Sequence, residues 1–369
     1  MDKFKDFELL CENRRSATQH NLSKNKSIWI FGAGNFGRDL AKILVNEGFN
    51  LVGFIETNPK IDQVLGLPVV TWNQLTPENK KAQLAIGIFN RGMPLDELSK
   101  LAEDFGFSDI FMPWDIYFEF GESLGWRFWL SKPAVILNSL EAIKQTYDLL
   151  ADDASKKCLL GILAFRLGLN TSYASFSHSE KQYFNQLTIP GLKNRSVVYV
   201  DCGAYNGDTL AEISREVAIS QAWLFEPDSQ NFSDLVKNVK EMQVNGSCIP
   251  CGVSDKYEIL TFSGGGEGGA ISESGADRIV TVALDQLLPL GKIDFLKLDI
   301  EGAEAMALRG ARDLIKRSRP VIALSLYHLP KDPWELPELL QELCQDYRYF
   351  IRQHYFNTFD SVLYAVPNN

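Results

Sequence analysis

Three acidic side chains in the second half of the chain each end a stretch that is predicted to be a buried strand. Asp201 ends the strand in "VVYVDCGAYNGDT", Glu226 ends "AWLFE", and Asp299 ends "FLKLD". Gly203 and Gly207 follow Asp201 in a short loop, and glycines allow a tight turn and a close approach of the main chain to a ligand. Because parallel sheets bind ligands at the carboxyl ends of their strands, we expect the three carboxylates to line one site.

The residues of this site suit a ligand that has a ribose and an anionic end but no pyrophosphate. Glu226 follows the glycine loop at the spacing from which an acid accepts hydrogen bonds from both ribose hydroxyls. The helix that begins in "GDTLAEIS" offers main-chain amides to a carboxylate. S-adenosylmethionine has this form. The alternative is a degenerate NAD loop, but NAD loops favour G-x-G-x-x-G, and here an acid precedes "CGAYNG".

Methyl transfer to a hydroxyl requires alignment of the acceptor and removal of its proton. His328 ends "VIALSLYH" on the same predicted edge as Asp299 and is a candidate general base, with a structural histidine as the alternative. Asp299 and Glu301 could also hold a divalent cation that lowers the pKa of the acceptor hydroxyl. We favour a metal-free interpretation, in which Asp299 contacts the donor or orients the acceptor while Glu301 caps the next helix. Lys297 is expected to pair with one of these acids.

A second glycine loop, "IFGAGNFGRDL", has the full G-x-G-x-x-G pattern at Gly32, Gly34 and Gly37. It follows a predicted strand and opens a helix, and Glu56 ends the next strand at the spacing of a ribose-binding acid. One interpretation is a second site, for a nucleotide or a nucleotide-sugar. The others are an empty scaffold used for interaction and NAD-dependent redox chemistry, for which no Tyr-x-x-x-Lys follows.

Alternating strands and helices must position both loops. Residues 1–25 are an N-terminal tail or short helix, and strand, helix and strand then alternate in a smaller Rossmann-like α/β domain, a nucleotide-binding domain over residues 26–115. A helical connector follows over residues 116–195. From residue 196 to 369 five strands alternate with helices, and the last two, "YRYFIRQH" and "SVLYAV", are linked too closely for a crossover and should pair antiparallel. This α/β pattern predicts a seven-stranded Rossmann-like sheet.

Four sequences in the second half of the chain, taken in order, resemble the FkbM family of S-adenosylmethionine-dependent methyltransferases. They are "VDCGAYNGDT", "FEPD", "VALDQLL" and "FLKLDIEGAEAMALRGA", of which "KLDIEGAE" is the most distinctive part. The resemblance covers about residues 196–366. It implies a class I methyltransferase fold and methyl transfer to oxygen, on a hydroxyl of a sugar, glycan or secondary metabolite.

The resemblance also assigns parts of the donor to residues of this chain. The loop that holds the methionine end consists of Asp201, Gly203 and Gly207, and Glu226 holds the ribose. Ser254 and Asp255, in "CGVSD" after the third strand, lie where this fold meets the adenine. For these two residues a simple turn is the alternative.

Composition limits the partners of the chain. Its 369 residues carry a net charge of −10, which argues against nucleic acid or an anionic membrane surface as the main partner. No apolar run has the length of a membrane span and the first residues lack the apolar core of a signal peptide, so we expect a cytoplasmic protein. The six cysteines are expected to be free thiols.

The sequence leaves the roles of two further segments open. The aromatic-rich "FMPWDIYFEFGESLGWRFWL" is compatible with core or domain-interface packing, with an acceptor pocket, or with a contact in a homo-oligomer. The glycine-rich "FSGGGEGGAISESG", at 262–275, is compatible with a flap over the substrate or with an inert surface loop.

Overall fold

The structure is a computed structural model that describes residues 3–17, 19–170, 172–263, 270–271, 277–287 and 291–368. The chain divides into two compact units. Unit 1 comprises Met1–Leu140, Leu160–Ser177 and Tyr355–Phe359, and unit 2 comprises Glu141–Leu159, His178–His354 and Asp360–Asn369. The segment predicted as a helical connector is divided between the two units.

Unit 1 is built on a six-stranded sheet with the order β3-β4-β2-β1-β5-β6. Its helices are α1 (Lys3–Ser16), α2 (Asn35–Asn46), α3 (Leu95–Asp104), α4 (Pro113–Leu124) and α5 (Ala134–Leu137). Its strands are β1 (Ser27–Phe31), β2 (Asn50–Ile55), β3 (Gln63–Val64), β4 (Leu67–Val70), β5 (Gln83–Ile86) and β6 (Ile110–Phe111). Strand β1 pairs in parallel with β2 and β5, and helix α2 connects β1 to β2.

Helix α2 forms because its apolar residues recur at helical spacing. Phe36, Leu40 and Leu44 are buried, whereas Gly34, which directly precedes the helix, is exposed. This spacing presents one apolar stripe to the sheet and leaves the other face to solvent. The aromatic-rich segment contributes to the same unit, since Trp129 is buried there.

Helices α6 (Leu140–Leu149) and α7 (Asp153–Arg166) precede the strands of unit 2. The strands are β7 (Ser196–Cys202), β8 (Ala218–Phe225), β9 (Gly246–Ile249), β10 (Gly252–Val253), β11 (Glu258–Ser263), β12 (Ala270–Ile271), β13 (Asp277–Val282), β14 (Phe295–Leu298), β15 (Val321–Ser325), β16 (Tyr347–Gln353) and β17 (Ser361–Pro367). The helices are α8 (Asp208–Ile213), α9 (Ser229–Met242), α10 (Leu284–Leu287), α11 (Glu304–Gly310), α12 (Arg312–Ser318) and α13 (Asp332–Leu343).

The main sheet of unit 2 has seven strands in the order β9-β8-β7-β14-β15-β17-β16. Strands β9, β8, β7, β14 and β15 run parallel, and β17 is antiparallel to both of its neighbours. The predicted seven-stranded sheet and the predicted antiparallel pair are therefore confirmed. The chain moves outward from β7 to β9 and then crosses to β14 on the other side of β7, so the order reverses between β7 and β14. Doubly wound sheets bind ligands at such a point.

A second, four-stranded sheet of unit 2 has the order β10-β13-β11-β12. The glycine-rich segment at 262–275, a candidate flap in the sequence, falls in large part outside the described residues, at 264–269 and 272–276.

The core of unit 2 includes an aromatic cluster under the middle of the seven-stranded sheet. The rings of Phe184, Tyr199 and Phe295 lie 5.4 to 6.2 Å apart, and all three side chains are buried. All six cysteines are free thiols, as predicted. Among the described helices, none combines the length and the apolar character needed to cross a membrane.

Candidate active site

The glycine loop that follows β7 turns directly over the reversal point of the sheet. Gly203 has a φ of 87°, and a Cβ at this position would lie 2.0 Å from the carbonyl oxygen of Asp299. Only glycine permits both the left-handed conformation and this approach. Gly203 and Ala204 donate their main-chain N–H groups to the carbonyl oxygen of Phe225, at 3.0 and 2.9 Å. The loop therefore joins the ends of three neighbouring strands, β7, β8 and β14.

Glu226 directly follows β8 and lies against the same loop. Its Oε2 accepts the N–H of Tyr205 at 2.9 Å, and its Oε1 accepts the N–H of Asp228 at 2.9 Å. The side chain is 6% exposed. Burial raises the pKa of this carboxyl above its usual value, and the two main-chain donors offset part of that rise. These bonds fix the direction of the carboxylate, and the side chain of Asn231 also donates a hydrogen bond to it.

Asp201 lies beneath the loop and is fully buried. Its Oδ1 accepts a hydrogen bond from Lys297 at 2.8 Å, and its Oδ2 accepts one from the hydroxyl of Tyr199 at 2.7 Å. The sequence predicted that Lys297 pairs with Asp299 or Glu301, but its ion-pair partner is Asp201, which faces it across the strand pair β7 and β14. Burial alone would lower the pKa of Lys297, but the carboxylates of Asp201 and Asp299 raise it, so the ammonium stays charged. A direct contact between Asp201 and a donor stays a prediction.

Asp299 directly follows β14 and is surrounded by hydroxyl donors from unit 2. Its Oδ2 accepts from Tyr183 at 2.9 Å, and its Oδ1 accepts from Ser325 at 2.7 Å and Tyr327 at 3.2 Å. Burial would raise the pKa of Asp299, but Lys297 and these neighbours lower it below its usual value. The side chain keeps 24% of its surface exposed. Asp299 is therefore an ionised carboxylate that a second molecule can reach.

His328 is fully buried among three carboxylates. Its Nδ1 lies 2.7 Å from Glu304 Oε1, and its Nε2 lies 3.4 Å from Asp299 Oδ1 and 3.7 Å from Glu301 Oε2. Burial would lower the pKa of this histidine, but the three carboxylates, Glu304 first, raise it well above its usual value. The surrounding carboxylates therefore favour the imidazolium form of this ring.

Glu304 also shapes the turn that carries Asp299 and Glu301. Its Oε1 accepts the N–H of Ile300 at 2.9 Å, and its Oε2 accepts the N–H of Gly302 at 3.0 Å. The sequence assigned helix capping to Glu301, which adopts a φ of 55° in the turn before α11. Glu304, at the start of α11, instead accepts the main-chain N–H groups of the turn.

Ser254 and Asp255 follow β10 at the end of the four-stranded sheet. Ser254 is fully buried, and its carbonyl oxygen would lie 2.0 Å from a Cβ placed on Gly310 of α11. Asp255 is exposed. Their proposed contact with adenine stays a prediction.

No group of three or more His, Cys, Asp or Glu side chains within the described part of the chain is arranged to hold a metal ion. Asp299 and Glu301, the predicted candidates, lie instead beside the imidazolium of His328.

The glycine loop of unit 1 brings the residues of its motif close together. Gly32 has a φ of 104°, and a Cβ on Gly37 would lie 2.0 Å from the carbonyl oxygen of Gly32. Glu56 Oε1 accepts the N–H of Ala33 at 2.6 Å. A Cβ on Gly34 would meet no atom within 4 Å. The three glycines and Glu56 are thus brought together, with open space beside Gly34.

Sequence reasoning did not find several residues of the site in unit 2. Glu304 ends the "KLDIEGAE" string but has no strand-end position to mark it. Tyr183, Ser325 and Tyr327 reach Asp299 from other elements, and Tyr183 precedes β7 by more than a dozen residues of irregular chain. Ser325 and Tyr327 lie at the end of a strand, and this position is the one signal in the sequence that could have indicated these two residues.

One part of the chain matches a known protein family. Residues 201–354 match the family model described as "Methyltransferase FkbM domain". No curated protein is significantly similar in sequence to the chain.

Solved structures of methyltransferases resemble the fold. A structure of methyltransferase FkbM from Methylobacillus flagellatus KT aligns with 98% of this chain and 99% of its own, with a TM-score of 0.73 and 20% identity. A Streptococcus thermophilus rRNA methylase aligns with 49% of this chain and 92% of its own, with a TM-score of 0.32 and 15% identity. The first of these supports the fold of the whole chain.

Proposed function

We propose that this chain, whose residues 201–354 match the model of the methyltransferase FkbM domain, transfers a methyl group from S-adenosylmethionine to a hydroxyl of a sugar, glycan or secondary metabolite. The observation that carries the proposal is that Glu226 and Asp299 end strands on either side of the strand that bears the glycine loop, at the reversal point of the sheet. One carboxylate can then hold the donor while the other faces the acceptor.

Glu226 is the residue that recognises the donor in this proposal. Main-chain donors hold its two oxygens in place, and the carboxylate keeps acceptor capacity for the ribose. The main chain at Gly203 and Gly207 lies alongside the methionine end of the donor. Ser254 and Asp255 are the proposed contacts of the adenine.

S-adenosylmethionine, when bound, supplies a methyl group that its sulfonium already activates. Asp299 accepts the hydrogen bond of the acceptor hydroxyl, aligns its oxygen with the methyl carbon, and takes the proton as the oxygen–methyl bond forms and the methyl–sulfur bond breaks, which leaves the donor as a neutral thioether. The donors around Asp299 make it a weak base. A weak base suffices because a hydroxyl oxygen becomes strongly acidic as it is methylated.

In this scheme His328 is a positioning residue for Asp299. An imidazolium cannot accept a proton, so the general-base role predicted from the sequence would require the neutral form, above the raised pKa of this histidine. We therefore assign to His328 the task of holding the carboxylates of Asp299, Glu301 and Glu304 in place.

The test combines donor binding with methyl transfer. Calorimetry with S-adenosylhomocysteine measures the donor site, and a methyl-labelled donor incubated with a panel of sugars, nucleotide-sugars and hydroxylated metabolites detects transfer. We expect the wild type to bind S-adenosylhomocysteine and to label a hydroxyl. We expect Asp299→Asn to retain that binding and to lose about 10²–10⁴ in transfer rate.

Variants of His328 separate the two candidate bases. His328→Ala should leave donor affinity unchanged and should slow methyl transfer. The loss in rate should be smaller than that of Asp299→Asn. If His328→Ala abolishes transfer while Asp299→Asn does not, His328 is the base. Absence of S-adenosylhomocysteine binding by the wild type would overturn the proposed function.

For unit 1 we propose a second site, which binds a nucleotide or a nucleotide-sugar beside Gly34. The open space at this glycine and the position of Glu56 against the loop support it. Calorimetry with NAD and with UDP-sugars, on the wild type and on Glu56→Ala, tests this site. Binding of NAD would favour the redox alternative, and binding of neither ligand would favour a scaffold.

A further inference from the structure

A buried polar network lies directly beneath the glycine loop of unit 2. Lys297 donates to Asp201 Oδ1 and to the carbonyl oxygen of Gly203, both at 2.8 Å, and Tyr199 donates to Asp201 Oδ2. We propose that Tyr199, Asp201 and Lys297 are positioning residues that hold the donor loop from below, so that Asp201 influences the donor only through the loop. This inference rests on the proposed function.

Asp201 has no means of touching a ligand above the sheet. Its side chain is 0% exposed, and each carboxylate oxygen already accepts a hydrogen bond from a buried side chain. Tyr199 and Asp201 are two residues apart on β7 and so point to the same face. Lys297 is the direct cross-strand partner of Asp201 on β14. The three side chains thus satisfy one another within the sheet.

Lys297 connects this pair to the loop. Its bond to the Gly203 carbonyl opposes rotation of that peptide, while the N–H groups of Gly203 and Ala204 are held by Phe225. The loop is therefore anchored through both its carbonyl and its N–H groups. The third contact of Lys297 is the ring of Tyr183, whose centroid lies 5.3 Å from the ammonium nitrogen.

Tyr183 extends the network to the residue that faces the acceptor. Its hydroxyl donates to Asp299 Oδ2 at 2.9 Å, and burial together with that carboxylate raises its pKa well above the usual value. The hydroxyl therefore remains a donor. Lys297 thus lies between the loop assigned to the donor and the carboxylate assigned to the acceptor.

The glycine loop of unit 1 indicates that this network is not needed to build the turn. At the equivalent register, one residue before the strand end, β1 and β5 pair Ile30 with Ala85, and both are fully buried. Burying an ion pair costs desolvation that an apolar pair avoids. The charged pair of unit 2 is therefore best explained by what its loop binds.

Calorimetric titration with S-adenosylhomocysteine of three single variants tests the inference. Tyr199→Phe removes the hydroxyl that restrains Asp201, and we expect affinity to fall about tenfold, the equivalent of one hydrogen bond to a charged group. Asp201→Asn should weaken binding further. The control is Tyr349→Phe, which removes a buried hydroxyl that donates to the carbonyl oxygen of Cys344 at 2.9 Å, and whose affinity should match the wild type.

The outcomes distinguish the inference from its alternatives. If Tyr199→Phe binds as tightly as the wild type while Asp201→Asn does not, Asp201 contacts the donor directly and the inference is wrong. An equal loss in Tyr199→Phe and Tyr349→Phe would reduce the effect to general destabilisation and would also overturn it. If Asp201→Asn does not fold, the two tyrosine variants decide by themselves. If the wild type itself fails to bind, the proposed function falls, and with it the donor loop.

Discussion

Gly32 and Gly203 follow buried parallel strands in the two units, and both adopt a positive φ, of 104° and 87°. Each donates its N–H to the last residue of the next strand, Ile55 in unit 1 and Phe225 in unit 2. The acid that follows that residue then accepts an N–H of the loop. The two loops therefore share one design of main chain and acid.

The two loops differ in what supports them. In unit 1 the carbonyl oxygen of Ala33 accepts from Arg38, an exposed residue, and the strand pair beneath is apolar. In unit 2 the carbonyl oxygen of Gly203 accepts from Lys297, which is buried in an ion pair with Asp201. A glycine loop can thus be built without buried charge. The buried ion pair beneath the loop of unit 2 therefore indicates that the shape of this loop meets a further requirement.

The largest expected effect concerns these two supports. Lys297→Met leaves Asp201 buried without its cation, and we expect a loss of about 3–5 kcal/mol in the free energy of unfolding. Arg38→Met removes an exposed donor and should cost less than about 1 kcal/mol. Urea denaturation of the two variants measures both values. The double variant Asp201→Leu/Lys297→Met should recover most of the loss, and equal losses in the two single variants would contradict the contrast between the loops.

Glycine substitutions test the shared geometry of the loops. Gly203→Ala and Gly37→Ala each place a Cβ 2.0 Å from a carbonyl oxygen, and we expect each to cost about 2–4 kcal/mol. Gly34→Ala meets no atom within 4 Å and should change stability by less than about 0.5 kcal/mol. Thermal unfolding compares the three variants. Destabilisation by Gly34→Ala equal to that by Gly37→Ala would disprove the open space in unit 1.

The acids that hold the loops should differ in their effect on the donor. Glu226→Gln should weaken S-adenosylhomocysteine binding about 100-fold, because a charged acceptor for the ribose is lost. Glu56→Gln, the matched change in unit 1, should leave that affinity unchanged. Calorimetry on both variants and on the wild type measures the difference. Loss of binding in Glu56→Gln but not in Glu226→Gln would assign the donor to unit 1.

The pH dependence of stability tests the charge of His328 in unit 2. The pKa of His328 is raised by folding, so its contribution is fully present below its unfolded pKa and is lost as pH rises through its folded pKa. Above about pH 6.5 this group should lower the free energy of unfolding by up to about 1.4 kcal/mol per pH unit. Urea denaturation between pH 6 and pH 9, with His328→Gln as the reference, measures the slope. Equal slopes in both proteins would show that His328 is neutral in the folded state.

The elements that carry the sites were largely predictable. Alternating apolar runs and helical spacing predicted β1, α2 and β2, and the short link between the last two strands predicted their antiparallel pairing. The acids at strand ends followed from the same pattern, because a carboxylate that ends a parallel strand must reach the binding edge. A lysine inside a buried strand predicted that Lys297 has an acidic partner, but the partner is Asp201 and not one of the predicted Asp299 and Glu301.

The sequence by itself determined the two glycine loops, the parallel strands that precede them and the acids that follow, since each depends on residues close together in the chain. Only the tertiary structure decided that Lys297 pairs with Asp201, that Glu304 contacts His328, and that Tyr183 and Ser325 surround Asp299. These contacts join residues 24 to 116 positions apart. Their geometry, and with it the charge of His328, depends on strand order and packing, which local spacing does not encode.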